Sequence, residues 1–486
     1  MNSPLKRVAV ACLLMFGLLM ANVTYLGSVK AEGLRNDSRN VRMLFNRYNI
    51  DRGWITADNG KTTLAKTVDT GDKQFRFERE YPLGKPFTHV VGWFAPESAS
   101  GIEAAMNRYL DGSHPDLVVR RAIDLVSGKP AKGASVDLTL NTKAQEVAYK
   151  DLAGTGKRGA VVALEPKTGK ILAMVSVPSY DPNPLAKANK DTVNKAYNKL
   201  NKDDNKPLLN RAINLTFAPG STFKTVTSAA YLSEDTSRDE NTQVDAPDAL
   251  PLPGTNISLP NYHGESCGGR ATLVQALTIS CNTPFAIMGM DVGYDKLKEQ
   301  AEKFGVGQPL KIPMEVAPSD IGPDEGKAAL AKTAIGQQSN QMTPLQMAMV
   351  AAGIANQGTV MKPYLVNKIM GPDGAEIDGT DPEELDEAVT PEVAGELTKM
   401  MISVVEHGTG GAARIPGITV AGKTGTAETL PGKPSHAWFI SFAPVGDDPK
   451  VAVAVFVESG SAGNDATGGA VAAPIAHDVM QAVLGR

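Results

Sequence analysis

Three features of the sequence predict an α+β fold, with helices set against a largely antiparallel sheet. The C-terminal part reads as three successive strands, Ile418-Thr419-Val420, Trp438-Phe439-Ile440-Ser441-Phe442 and residues 451–457, with turn residues between them. A further strand pair, residues 160–164 and 171–177, folds over the turn Pro166-Lys167-Thr168-Gly169. Strong helices open at Thr343-Pro344 and Thr390-Pro391, where a capping threonine precedes a proline at the first helical position.

A chain of 486 residues suggests more than one domain, and 42% hydrophobic with 21% charged residues is enough to build a large core. A net charge of −4 gives no reason to expect nucleic-acid binding. No phosphate-binding glycine loop and no C-x-x-C pair occurs. The six histidines fall in no metal-binding spacing, so neither metal nor cofactor is expected.

In chain order, residues 1–7 form a short tail with Lys6 and Arg7, ahead of an apolar segment at 8–29. As a helix that segment matches a hydrocarbon core of ~30 Å, and the preceding charges place the rest of the chain outside the cytoplasm. An uncleaved signal anchor is the favoured reading. A cleaved signal peptide is the alternative, since Val29-Lys30-Ala31 resembles a cleavage site. Residues 30–135 form a separate module. Thr62-Thr63-Leu64-Ala65 and His89-Val90-Val91-Gly92-Trp93 read as short strands, and residues 100–110 as one amphipathic helix. No nucleophile stands beside a base there, so the module reads as structural or docking.

From residue 136 the texture changes. A strand at 135–140 and a helix at 142–152 precede the hairpin. Residues 181–208, rich in Asn, Lys and Asp, read as an exposed excursion. A helix is expected over 221–232, straight after the Pro219-Gly220 turn. Residues 233–265 are turn-rich, 272–277 helical, 373–386 an acidic loop, and 474–484 a closing helix.

Three short patterns stand in one order: Ser221-x-x-Lys224, Ser280-x-Asn282, and Lys423-Thr424-Gly425 followed by Thr426. Ser221 begins a helix, where unpaired N–H groups gather, and Lys224 shares its face. A hydroxyl beside an amine is a nucleophile beside a base. Each pattern alone is weak. Ser3-Pro4-Leu5-Lys6, Ser38-Arg39-Asn40 and Lys167-Thr168-Gly169 also match, but not in an order that makes a set with Ser221.

The ordered set resembles the penicillin-binding protein and serine β-lactamase superfamily, for which S-x-x-K and K-T-G are known signatures. Gly336-Gln337, Thr343-Pro344-Leu345-Gln346, Ala355-Asn356-x-Gly358 and His436-Ala437-Trp438-Phe439 extend the resemblance over residues 136–486. Within the superfamily the chain is similar to the class B penicillin-binding proteins, monofunctional transpeptidases. Arg52-Gly53-x-Ile55 and Gly101-Ile102-Glu103 resemble the pedestal domain of that class.

The resemblance implies acyl transfer. Ser221 attacks a stem peptide ending in D-Ala-D-Ala, D-Ala leaves, and the amine of a neighbouring stem resolves the acyl-enzyme. Lys224 takes the proton of Ser221, and Ser280 relays one to the leaving amine. Asn282 orients Lys224 and the substrate. Lys423, Thr424 and Thr426 hold the substrate carboxylate, with Gly425 between them. Backbone N–H groups of Ser221 and Thr426 form the oxyanion hole. β-Lactams mimic the donor and acylate Ser221. Expected partners are peptidoglycan stems, the plasma membrane through one helix, and wall-synthesis or division proteins. A D,D-carboxypeptidase, a β-lactamase, a β-lactam sensor and a scaffold are the competing readings. Two of the three cysteines, Cys267 and Cys281, lie outside the expected membrane segment, in a compartment where disulfides persist. They pair across a short glycine-containing loop, or remain as two buried thiols.

Overall fold

The computed structural model describes residues 3–30, 49–72, 75–95, 97–117, 132–427, 435–458 and 467–486. Ala31 of the cleavage-like triplet and the Ser38-Arg39-Asn40 match lie outside them.

The first element is an apolar α-helix, Ser3–Ser28, of 26 residues with no buried side chain. It is long and apolar enough to cross a membrane. It carries Cys12, the one free cysteine among the described residues.

The N-terminal module contributes strands Ile55–Ala57, Thr62–Asp69 and Phe77–Glu80 to a six-stranded sheet. The next strand, Ser135–Leu138, runs parallel to Ile55–Ala57 on one side and antiparallel to Val366–Met370 on the other. The expected division at residues 135 and 136 therefore falls at the start of a strand that both parts share. Buried Asp137 ties this seam further. Its carboxylate accepts from Thr56 Oγ1 at 2.9 Å and from Asn367 Nδ2 at 3.0 Å.

The two pedestal-like motifs meet inside the module. Glu103 is fully buried and accepts from Arg52 Nε at 2.7 Å and Arg79 Nε at 2.5 Å. Burial pushes its carboxyl up, but the two guanidiniums outweigh burial and hold it below the ordinary carboxylate range. A buried charge persists only when paired in this way.

The second sheet has five strands in the order Ala421–Ala427, His436–Ala443, Val451–Val457, Gly159–Leu164, Ile171–Val177, every neighbour antiparallel. Val451–Val457 is buried along its whole length. Its side chains alternate between two layers. Val453 and Val455 pack with Ala144, Ala148 and Ala476 of helices Thr142–Gly154 and Ala473–Leu484. Ala452, Ala454 and Phe456 face the core that contains helix Pro344–Ala355. Both faces are covered, so the strand reads as a continuous apolar run. The caps form as the sequence requires. Thr343 Oγ1 accepts the N–H of Gln346 at 3.0 Å, and Thr390 Oγ1 that of Val393 at 3.4 Å.

Several local expectations are corrected. Residues 89–93 are not a strand. Helix Thr88–Val91 ends at Gly92, whose φ of 78° stops it, and a short strand follows at Phe94–Ala95. All four helical residues are buried, so no polar face betrays their period. The helix expected over 100–110 is broken into Gly101–Ala105 and Asn107–Leu110 at Met106, with ψ 19°. The excursion at 181–208 contains helix Lys190–Asn201, capped by Asn189 Oδ1 on the N–H of Thr192. Turn-rich 233–265 holds three short strands, Gln243–Ala246, Ala249–Pro251 and Ser258–Pro260. The acidic loop holds two more, Glu376–Gly379 and Glu384–Glu387. The strand expected at 418–420 begins at Ala421, because Ile418 turns back on Ile415.

Candidate active site

The segment before Ser221 is fixed by backbone contacts too close for side chains. Gly220 has φ 54°, and its N–H donates to Gly336 O at 2.9 Å. A Cβ on Gly336 would lie 2.1 Å from Gly220 O. Trp438 Nε1 donates to Ala218 O at 3.0 Å, tying the loop to the five-stranded sheet. The expected helix then starts as a 3₁₀ turn, Gly220–Phe223, and continues as α-helix Lys224–Ser233. With three residues per turn, positions i and i+3 eclipse, so Ser221 and Lys224 stand one above the other.

Ser280 occupies an unusual backbone position. Helix Leu273–Thr278 ends in a double closure: the N–H of Ser280 donates to Leu277 O at 3.2 Å, and that of Cys281 to Ala276 O at 3.0 Å. This is the Schellman pattern, whose left-handed residue is ordinarily glycine. Here it is Ser280, with φ 63°. Such a conformation costs a non-glycine residue about 1–3 kcal/mol. The following residue, Cys281, is disulfide-bonded to Cys267. The cysteines pair; the reading as two buried thiols is set aside.

The strained turn delivers a hydroxyl between two buried amines. Lys423 Nζ donates to Ser280 Oγ at 2.8 Å and to Thr424 O at 2.9 Å. Lys224 Nζ lies 3.4 Å from the same Oγ and donates to Ser280 O at 2.7 Å and Asn282 Oδ1 at 2.9 Å. Both lysines are 0% exposed. Burial lowers Lys224 well below the ordinary lysine range, and the charge of Lys423 lowers it further. Burial alone brings Lys423 down to about 7. A neutral amine has two N–H donors and one lone pair. For Lys224 the two donors are taken by Ser280 O and Asn282 Oδ1, which leaves the lone pair to accept a proton.

The K-T-G strand passes close to the turn that carries Ser221. A Cβ on Gly425 would sit 2.9 Å from Thr222 Cγ2, 2.9 Å from Trp438 Cβ and 3.0 Å from Pro219 O. Only glycine allows that approach. Ser221, Ser280, Asn282, Thr424 and Thr426 line one cleft of about 1040 Å³. Lys224 and Lys423 lie behind its wall. Among the described residues no hydrogen bond joins Ser221 Oγ to Lys224 Nζ, and the direct contact expected from sequence is not made in this state. Catalytic contacts often tighten only when substrate binds.

Three further residues belong to the cleft and carry no local sequence signal. Asn261, 2% exposed, accepts from the N–H groups of Asn282 at 2.8 Å and Thr283 at 3.1 Å, and so clamps the S-x-N loop. Thr409 shares a 2.5 Å hydrogen bond with Thr424 through their hydroxyls. Glu265 places a carboxylate on the cleft surface. Each reaches the motifs across tens of residues or a change of element.

A serine on a 3₁₀ turn, a lysine pair bridged by a second serine, and a K-T-G edge strand on this sheet define a class. The chain belongs to the penicillin-binding protein family. Residues 159–481 match the penicillin-binding protein transpeptidase domain, and residues 52–136 the penicillin-binding protein A dimerisation domain. The chain is 45% identical to the peptidoglycan D,D-transpeptidase PbpA of Mycolicibacterium smegmatis, over 100% of this chain and 99% of that one. With PbpA of Mycobacterium tuberculosis identity is 43%, over the same shares. The solved structure of penicillin-binding protein A from M. tuberculosis, as its ceftriaxone acyl-enzyme complex, superposes with a TM-score of 0.86 at 43% identity. It covers 91% of this chain and 100% of that one.

Proposed function

We propose that the chain is a serine-type peptidoglycan D,D-transpeptidase with Ser221 as nucleophile. The observation that carries this reading is the hydroxyl of Ser280 set between the buried amines of Lys224 and Lys423, in the cleft that Ser221 lines. Its similarity to relatives named as D,D-transpeptidases, 45% identical along the whole chain in one case, supports it.

In the proposed cycle Ser221 Oγ attacks the carbonyl of the penultimate D-Ala, and its proton passes to neutral Lys224. The N–H groups of Ser221 and Thr426 receive the oxyanion. Ser280, between the lysines, returns the proton to the leaving D-Ala nitrogen as the C–N bond breaks. Asn282 keeps Lys224 oriented. Thr424 and Thr426, with Gly425 giving the strand its close approach, hold the donor carboxylate, and Lys423 supports them from behind the cleft wall. An amine of a second stem then displaces Ser221 and forms the cross-link. β-Lactams enter by the first step.

The proposed layout is a cytoplasmic tail at 1–7, a membrane anchor at 8–29, a pedestal at 30–135 and the catalytic domain at 136–486 outside the bacterial plasma membrane. The apolar helix Ser3–Ser28 and the dimerisation-domain match at 52–136 support it. The pedestal is the proposed docking face for wall-synthesis and division proteins.

Labelling with fluorescent penicillin, then peptide mass spectrometry, tests the chemistry. The adduct is expected on Ser221, and Ser221→Ala should lose acylation by several orders of magnitude. An adduct on another residue overturns the assignment. Incubation with a D-Ala-D-Ala peptide and an amine acceptor separates transfer from the hydrolysis of a carboxypeptidase.

A further inference from the structure

The cleft wall beside Ser280 carries a carboxylate that the acylation chemistry does not use. Glu265 follows the turn Tyr262–Gly264, and its N–H donates to Tyr262 O at 3.1 Å. Two residues on, Cys267 is bonded to Cys281, so the loop is tethered to the residue next to Ser280. Between them Ser266 Oγ donates to Asp248 Oδ1 at 2.6 Å. Glu265 is thus held at the rim by three attachments close in sequence. Among the described lining residues it is the one carboxylate, and it makes no ion pair with any described residue.

The second half of the reaction needs such a charge. The group that resolves the acyl-enzyme is a primary amine, an ammonium at neutral pH. It must reach an ester on Ser221 while Lys224 and Lys423 stand behind the same wall. Either lysine, when protonated, repels it. A carboxylate at the rim offsets that repulsion and raises the local concentration of cations. The charge of Glu265 also reaches Lys224 and favours its protonated form, so the rim and the base lie within electrostatic range.

We propose that Glu265 is the acceptor-recognition residue, whose carboxylate receives the ammonium of the incoming stem and aims it at the Ser221 ester. The proposal rests on the transpeptidase reading above. The ammonium yields one proton to solvent as it leaves the carboxylate. Its nitrogen then bonds to the acyl carbon while the bond from that carbon to Ser221 Oγ breaks. The surplus proton on nitrogen passes through Ser280 and Lys224 to Ser221 Oγ, which restores the free enzyme.

The test partitions one acyl-enzyme between nucleophiles of different charge. The full chain is supplied with a thioester donor and either Nα-acetyl-lysine amide, a cation, or hydroxylamine, neutral at the assay pH. In Glu265→Gln the ratio of transfer to hydrolysis should fall about tenfold for the lysine amide. It should not change for hydroxylamine, nor should the rate of penicillin acylation measured above its acid limb, where Lys224 is neutral with or without the Glu265 charge and the rate also reports a folded site. Glu265→Asp should recover part of the loss, and high salt should shrink the difference. An unchanged ratio for the cation, or equal losses with both nucleophiles, overturns the assignment. If the unmodified protein transfers to no amine at all, it is the transpeptidase reading that fails, and the proposal with it.

Discussion

Lys423 donates to the Oγ of Ser280 at 2.8 Å, and this bond joins the K-T-G strand to the turn that ends helix Leu273–Thr278. Ser280 is held there in a conformation that favours glycine. Backbone preference and chemistry therefore pull in opposite directions at one residue. Ser280→Gly and Ser280→Ala both remove the hydroxyl, and both should slow penicillin acylation by about 10²–10⁴-fold. Glycine tolerates the left-handed turn, so Ser280→Gly should be more stable than Ser280→Ala by on the order of 1 kcal/mol. Urea denaturation of the two variants measures the difference; equal midpoints would show that the turn is unstrained.

Lys423 sets a pH dependence whose sign is fixed. Its charge helps to hold Lys224 below the ordinary range. Removing that charge lets Lys224 keep its proton to higher pH, so in Lys423→Ala acylation should be slower and its acid limb should move upward. A profile identical to that of the unmodified protein contradicts the role.

The same lysine is linked to stability. In the unfolded chain it is protonated up to about 10.4. In the folded protein it is neutral above about 7. Between those values the unfolded state binds the extra proton, so stability should rise with pH across that window. Lys423→Met removes this contribution. Denaturation at several pH values should show a shallower rise for the variant, and parallel curves count against burial as the cause.

Gly425 is expected to tolerate no side chain. The Cβ of Gly425→Ala would meet Thr222 and Trp438 at 2.9 Å each. Overpacking of this kind costs about 1–3 kcal/mol. It should also push the strand away from the Ser221 turn, so acylation should fall further than stability alone predicts. Retention of full acylation argues against the close approach.

The Cys267–Cys281 bond closes a short loop on the site, with a sequence separation of 14. A loop of this size contributes about 3 kcal/mol in the chain-entropy account. Thiol counting on the denatured, unreduced protein should find one free thiol, Cys12. Reduction should lower stability and acylation together. Three free thiols would falsify the pairing.

What could be read from the sequence followed from locality. The strand Val451–Val457 is an unbroken apolar run, and the helices at Pro344 and Pro391 open on side-chain caps, so each announces itself within a few residues. Ser221, Lys224, Ser280, Asn282 and Lys423 were legible as ordered triplets. Lys423 does lie on a strand, but that strand starts after the apolar triplet Ile418-Thr419-Val420, because Lys-Thr-Gly-Thr lacks the β-branched apolar pattern of an ordinary strand. Helix Lys190–Asn201 was masked by its Asn- and Lys-rich surface, although Val193, Ala196 and Leu200 recur at helical spacing and pack, partly buried, against the core. Asn261, Thr409 and Glu265 act across the fold, and no spacing within the chain could connect them to the motifs.

The strand Ser135–Leu138 has its neighbours far apart along the chain, Ile55–Ala57 before it and Val366–Met370 long after. A chain that appears N-terminus first presents the pedestal strands with one edge of their sheet open until residue 370 has followed. Closing such distant pairings is slow. Through that interval the exposed ladder is a template for pairing with another chain. A catalytic fragment beginning just before Ser135 meets the same hazard permanently, since Ser135–Leu138 loses its parallel neighbour and becomes a sheet edge.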